Sequence, residues 1–436
     1  MNIENPGFFT RFMKEASKIE SKEIKSVLLS FLLVFILMAA YYILRPVRDA
    51  MASDWSDTEV SLLWNLNFFI SVIVVALYGL AVSKVRFRIL VPGMYAFFAA
   101  SFVAFFFGVS MIEDRTLIDK TFYVWVSIFS LFHVSVFWSF MSDLFNKEQA
   151  GRLFAFIAVG ASAGALVGPL VPTVFAGVIG IDTLLLIAAV ALVIVIPIVL
   201  FLERAKMIDL HNENVHADLS AARIGGNPFA GFKMFFSNPY LLAIGAFILL
   251  YTAIGSFAYF EQKNLLVDFD RATRTQILGG VDLTVNCLTF LIGMFATGRI
   301  VKRFGMPTTL ALVPVFVAAG LLVLAFAPIL TVLLAFQIGR RAGNYAITRP
   351  AREMLFTAVD RETRFKAKPV IDIAVYRGGD ALSSIAFAGL TDGLGFGLAA
   401  VALVGSGIAA VWAMTGRYLG RMFARNNSQQ VVGEDP

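Results

Sequence analysis

One cysteine, Cys287, in 436 residues excludes an intramolecular disulfide, so redox chemistry reports no compartment. Charge is scarce too: Asp, Glu, Lys and Arg make up 15% of the chain against 58% hydrophobic residues, and the mean hydropathy is +0.79. A soluble protein of this length needs far more polar surface to cover its core. Catalytic motifs are missing as well: there is no P-loop, no Gly-rich dinucleotide turn, no HExxH and no serine elbow. The reading is therefore of a non-enzyme with no ATP motor in this chain, and it assigns no metal and no cofactor. The first 25 residues, with Arg11, Lys14, Lys18, Lys22 and Lys25, lack an apolar h-region and do not read as a signal peptide.

What the chain does have is long apolar blocks. About 20 apolar residues cross a bilayer as a helix, and only helices or closed barrels can span. The short alternating segments of barrel strands do not occur. The expected class is an all-α membrane protein with about twelve transmembrane helices, over 26–48, 59–82, 89–111, 120–144, 153–179, 182–202, 240–262, 275–300, 308–326, 330–356, 369–391 and 394–417. This divides the chain into an N-terminal segment (1–25), a six-helix bundle (26–202), a linker (203–239) holding His211, His216, Gly225, Gly226 and Pro228, a second six-helix bundle (240–418) and a tail (419–436).

Basic residues cluster on one side of this topology: the N-terminus, Lys84/Arg86/Arg88, Lys147/Arg152, the linker, Lys302/Arg303, Arg361/Arg364/Lys366/Lys368 and Arg417/Arg421/Arg425. The positive-inside rule then puts both termini in the cytoplasm, with the bilayer as the expected surroundings, a bacterial inner membrane as the expected location and no nucleic-acid partner. The halves also match weakly at half-chain offset: Val85-Arg86-Phe87 with Lys302-Arg303-Phe304, and Asp143-Leu144-Phe145 with Glu353-Met354-Leu355-Phe356. A 6+6 pseudo-symmetric duplication is the architecture of major-facilitator-type transporters, which bind substrate near the midplane.

Ionisable residues inside spans mark function or pairing. Gln337, Arg341, Tyr345 and Arg349 step by four and form a polar stripe on span 10, with Arg340 and Arg341 roughly 15 Å deep. Guanidinium suits bidentate phosphate or carboxylate binding and does not deprotonate. Structural pairing of these arginines with acids on other helices is the competing reading. Tyr41…Arg45-Pro46-Val47-Arg48-Asp49 at the end of span 1 shares its pattern with Tyr345…Arg349-Pro350-Ala351-Arg352-Glu353. Proline disfavours helix at the preceding residue, so both helices are expected to kink there, and Arg45–Asp49 and Arg349–Glu353 can pair along their own helices. For span 1, an interfacial helix end with snorkelling arginines is the alternative. Asp143 reads as a gate acid or a helix-end acid, Asp282 as a proton or ion site or an interfacial residue, and His133 as an interior histidine. Asp372, Arg377 and Asp380 can pair among themselves. Gly160, Gly164 and Gly168 have the small-xxx-small spacing of close helix approach.

Three segments resemble the nucleotide-transporter family, the ATP/ADP translocases of intracellular bacteria and plastids. Leu44-Arg45-Pro46-Val47-Arg48-Asp49 is similar to that family's Leu-Arg-x-x-Lys-Asp. Phe137-Trp138-Ser139-Phe140-Met141-Ser142-Asp143 is similar to its Phe-Trp-Gly-Phe-x-Asn-Glu. Pro350-Ala351-Arg352-Glu353-Met354, continuing through Lys366-Ala367-Lys368 to Ile371-Asp372, is similar to its Asp-Pro-Thr-Lys-Glu-Met and Lys-Gly-Lys-x-x-Ile-Asp run. The resemblance implies twelve spans, nucleotide exchange, and Arg48, Arg352 and Asp143 in place of two lysines and a glutamate. Arg349 stands where the family has aspartate, and Phe257 where it has an acid, with Glu261 one turn on.

The expected function is a secondary active transporter working by alternating access on a small organic anion, a nucleotide of ATP/ADP type being the substrate the resemblance implies. It is expected to act as a monomer. Arg45, Arg48, Arg341, Tyr345, Arg349 and Arg352 are the expected substrate contacts, and Asp49, Asp143 and Glu353 the gating or pairing acids. Two other readings stand beside it: a proton-coupled major-facilitator transporter of another metabolite, drug or siderophore, with Asp282 as its acid, and a lipid-handling or interaction membrane protein.

Overall fold

The computed structural model describes residues 19–20, 22–208, 210, 230–295, 297–359, 367–368 and 370–433. Linker residues His211, His216, Gly225, Gly226 and Pro228, and the loop cations Arg361, Arg364 and Lys366, lie outside them. The regular elements among the described residues are all helices, and ten of them are long and apolar enough to cross a membrane. The first six are α1 (Ile24–Met51), α2 (Asp57–Lys84), α3 (Phe87–Met111), α4 (Thr116–Leu144), α5 (Lys147–Ile179) and α6 (Ile181–Ile208). A short α7 (Ala230–Ser237) precedes α8 (Pro239–Leu265), α9 (Arg271–Phe295) and α10 (Thr297–Phe326), the last kinked at Gly305, whose φ of 71° favours glycine.

The two remaining expected spans are not continuous α-helices. Residues 330–355 form α11 (Leu330–Gly343), a π-helical turn (Asn344–Thr348) and α12 (Arg349–Leu355). Pro350 donates no N–H and its ring clashes with the carbonyl four residues back; the wider π-turn immediately before it accommodates both. The next segment is π (Val370–Val375), then α13 (Tyr376–Ala388), then π again (Gly389–Gly393), followed by α14 (Leu398–Gly433). The parallel expectation for Pro46 differs in outcome, because α1 runs through it as α-helix to Met51.

The chain falls into two compact units, counting only described residues: Met1–Asp49, Ser71–Ile224 and Arg271–Leu283 in one, Ala50–Ile70, Gly225–Asp270 and Thr284–Pro436 in the other. In the first unit, the glycine stripe of α5 lies on the backbone of α1. A Cβ at Gly160, Gly164 or Gly168 would strike the carbonyl oxygens of Phe31, Phe35 and Ala39 in turn, so the four-residue steps of both helices mesh. An aromatic ladder of Phe98, Phe102, Phe122, Phe129 and Phe132 joins α3 to α4. Asn146 and Gln149 close a capping box at the start of α5. In the second unit, Phe247, Leu310, Leu321, Phe336 and Trp412 form the buried core, and Gly416 and Gly420 allow α14 onto the backbone at Leu310 and Pro307. Large apolar side chains also point outward, among them Val190, Val193, Phe290, Leu291, Leu322 and Val323. Such patches are a liability in water and the proper surface in lipid.

Candidate functional site

The second unit contains a cavity of about 540 Å³ built where the α11–π–α12 segment faces the following π-turn and α13. Four cations line it: Arg349, Arg352, Lys368 and Arg377. Among the described residues only two carboxylates, Glu353 and Asp372, stand against them. Tyr251, Tyr345, Tyr376 and Asn344 complete the wall.

The acids are placed on two of the four cations. Lys368 Nζ lies 2.5 Å from Glu353 Oε2, and Arg352 Nη2 lies 3.2 Å from Glu353 Oε1 and 3.9 Å from Asp372 Oδ1. Arg352 Nε is buried without a hydrogen-bond partner among the described residues. Arg349 and Arg377 have no carboxylate within 4 Å among those residues, so the cavity holds two positive charges in excess. Of the set Asp372, Arg377 and Asp380, Asp372 is linked to Arg352. At the other side of the wall, Asn344 Nδ2 donates to Tyr251 Oη at 3.0 Å, and the Tyr251 and Tyr376 rings lie 6.1 Å apart.

The π-turn redistributes the polar stripe. Below it, Tyr345, Arg349, Arg352 and Glu353 reach the cavity. Above it, Gln337 turns to α8, donating to Ala258 O (2.8 Å) and Gln262 Oε1 (2.9 Å) while accepting from Arg340 at 3.1 and 2.7 Å. Arg341 is buried at the end of α11 and is not among the residues lining the cavity. One extra residue in a turn is enough to rotate the two halves of a four-residue stripe apart.

The other expected residues meet in the first unit. Asp49 bridges two arginines: Arg48 donates to Asp49 Oδ1 through Nε (2.9 Å) and Nη2 (2.7 Å), and Arg45 Nε lies 3.7 Å from Oδ2. Arg48 also donates to Ser127 Oγ at 3.3 Å and stacks over Tyr123, while Arg45 Nη1 reaches Asp282 Oδ1 at 3.7 Å. Asp282 is buried in that pairing. Asp143 is held by Lys206 of α6 at 2.7 Å, with both groups buried. The rings of His133 and Tyr41 stack at 4.6 Å.

Several residues escaped the sequence reading. In the sequence, Lys368 carries only a topology signal and a place in a family-like run. The tie of Lys263 to Asp57 (2.6 Å), like that of Lys206 to Asp143, joins helix ends far apart in sequence, where no local spacing announces a pair.

The model of the Major Facilitator Superfamily matches residues 30–348. The chain belongs to this superfamily. Among the proteins it is similar to, ADP,ATP carrier protein 1 of Chlamydia pneumoniae is 20% identical over 494 residues, covering 96% of this chain and 95% of that protein. ADP,ATP carrier protein 1 of Chlamydia muridarum (strain MoPn / Nigg) is 22% identical over 441 residues, covering 85% and 83%. The solved structure of the nucleoside transporter NupG aligns with a TM-score of 0.62 at 16% identity, over 92% of this chain and 99% of that one. A bacterial homologue of the iron transporter ferroportin, inward-facing, gives a TM-score of 0.62 at 14% identity, over 92% and 100%. These structural likenesses establish the fold. The protein is a multi-pass membrane transporter of major-facilitator type.

Proposed function

We propose that this transporter carries a small organic anion by alternating access and exchanges nucleotides of ATP/ADP type. One observation carries the reading: the cavity faces four cations against two acids, with Arg349 and Arg377 unmatched among the described residues. A cavity with that surplus is suited to phosphate oxygens, which take guanidinium groups bidentately. The tyrosines offer stacking surface for a base. The near-full-length similarity to ADP,ATP carriers supports the nucleotide in particular.

Arginine–phosphate contacts must break in each cycle, and replacing one anion by another avoids leaving the cations bare, so exchange follows naturally. In this reading Arg45, Arg48 and Asp49 form the corresponding cluster of the first half (26–202), and Arg349, Arg352 and Glu353 that of the second (240–418). The protein works as a monomer in the bacterial inner membrane with both termini in the cytoplasm.

The test is nucleotide binding by the purified protein in detergent, followed by microscale thermophoresis with labelled ATP. Wild type is expected to bind and Arg349→Ala and Arg377→Ala to lose roughly tenfold each, the scale of one charge-assisted contact. Wild-type affinity unchanged in both variants would remove the cavity from the anion path.

A further inference from the structure

We propose that the start of α10 and the end of α14 form a binding site for an anionic phospholipid, whose headgroup phosphate is held by Lys302, Arg303, Arg417, Arg421 and Arg425. None of the five lines the anion cavity, and the inference does not depend on what that cavity carries. Packing gathers them at one end of a helix pair. The two helices run antiparallel, with Gly416 against Leu310 and Gly420 against Pro307. Continuing that register sets Lys302 and Arg303 beside residues 424 and 425. Along α14, Arg417, Arg421 and Arg425 step by four on one face. All five side chains are exposed.

Nothing in the helix pair offsets this charge. Neither α10 nor α14 contains an aspartate or glutamate, and none of the five cations has a carboxylate within 4 Å among the described residues. The acid of the neighbouring α12, Glu353, is taken by Lys368 and Arg352. A topology signal needs only that cations flank the spans. It does not require cations of two helices to converge, free of acids, on one packed pair. All but Lys302 are arginines, whose planar fork holds a phosphate through two parallel hydrogen bonds. Gly305 adds to the attraction. Its φ of 71° and ψ of 168° interrupt α10, so helix starts anew over 306–326 with its positive dipole end towards Arg303.

The depth is that of lipid phosphate. Residues 398–416 of α14 carry no charge and rise about 28 Å, close to the thickness of a bilayer's hydrocarbon core. Arg417 therefore stands where the acyl region ends, and Arg421 one turn further, among the headgroups. On the apolar side of that boundary Val411 and Met414 of α14 and Leu312 and Val315 of α10 point outward, and at the boundary itself Tyr418 is exposed. Tyrosine is the residue that favours this interface. A surface apolar on one side of the boundary and cationic on the other fits an amphiphile, with acyl chains along the helices and phosphate on the arginines. A soluble anion would gain nothing from the apolar half.

The test is native mass spectrometry of the purified full chain, titrated in detergent with phosphatidylglycerol or with zwitterionic phosphatidylcholine. Wild type is expected to bind phosphatidylglycerol in preference. The double variant Arg421→Gln with Arg425→Gln should weaken the first phosphatidylglycerol bound by about thirtyfold. Arg86→Gln with Arg88→Gln, an equal loss of charge at another exposed span end, should leave it within about twofold. No preference for phosphatidylglycerol in wild type, a result that needs no variant, overturns the proposal. Equal weakening in both double variants overturns it too, because the effect would then be one of net charge. Displacement of the lipid by millimolar inorganic phosphate would make this a site for a soluble anion and likewise overturns it.

Discussion

Lys368 Nζ and Glu353 Oε2 are 2.5 Å apart in the wall of the cationic cavity, with Arg352 on the other oxygen of the same carboxylate. Glu353 thus occupies two cations that an incoming anion would want. In the proposed exchange it would act as a built-in competitor, displaced by substrate phosphate and returning when substrate leaves.

Replacing Glu353 by Gln is therefore expected to tighten nucleotide binding. Both partners are more than a third exposed, so the pair is worth about 1 kcal/mol at most, roughly fivefold in Kd. The same variant should turn over more slowly, because release loses its competitor. Paired binding and initial-rate measurements check this; weaker binding would show that Glu353 positions the cations instead of competing for them.

Lys206 and Asp143 are both buried, and removing one partner strands the other. Asp143→Asn is expected to cost about 3–5 kcal/mol of stability. The double variant Asp143→Asn with Lys206→Met should recover most of it. Thermal unfolding in detergent reads both, and equal losses in the single and double variants would make Asp143 important for something other than its lysine.

Glu23 sits just before α1 and accepts from Arg152 (3.1 and 3.2 Å), Gln149 (3.0 Å) and the Glu20 N–H (3.0 Å). Burial pushes its carboxyl up, but the Arg152, Glu20 and Gln149 hydrogen bonds outweigh it and hold the group below its ordinary 4.5. A carboxyl depressed in the folded state contributes stability that is present above the unfolded value and lost as pH falls through the folded one. Wild type should lose melting temperature below about pH 4.5, and Glu23→Gln should start lower and lose less over that range. Parallel pH profiles for the two proteins would contradict the assignment.

Much of this was readable from the residues. Hydropathy gives the ten long helices because lipid admits no other backbone arrangement. The stripe Gly160, Gly164 and Gly168 announces a close approach, and α1 supplies it. Pro350 signals a local disturbance, but whether the backbone bends, breaks or widens depends on neighbours, and Pro46 in a similar pattern causes no break. The widened turn is what separated Arg341 from Arg349. The cluster at Arg349, Arg352 and Glu353 was visible as charge inside a span. Lys368 was not, since a basic residue near a span end serves topology and binding with the same signature. Lys206 and Lys263 owe their meaning to helices distant in sequence.

The most direct measurement is uptake of radiolabelled ATP into proteoliposomes preloaded with unlabelled ADP, comparing wild type with Arg352→Ala. Saturable uptake that requires internal nucleotide and falls at least about tenfold in the variant is the expected result. No uptake by folded wild-type protein, or uptake untouched by Arg352→Ala, would contradict nucleotide exchange through this cavity.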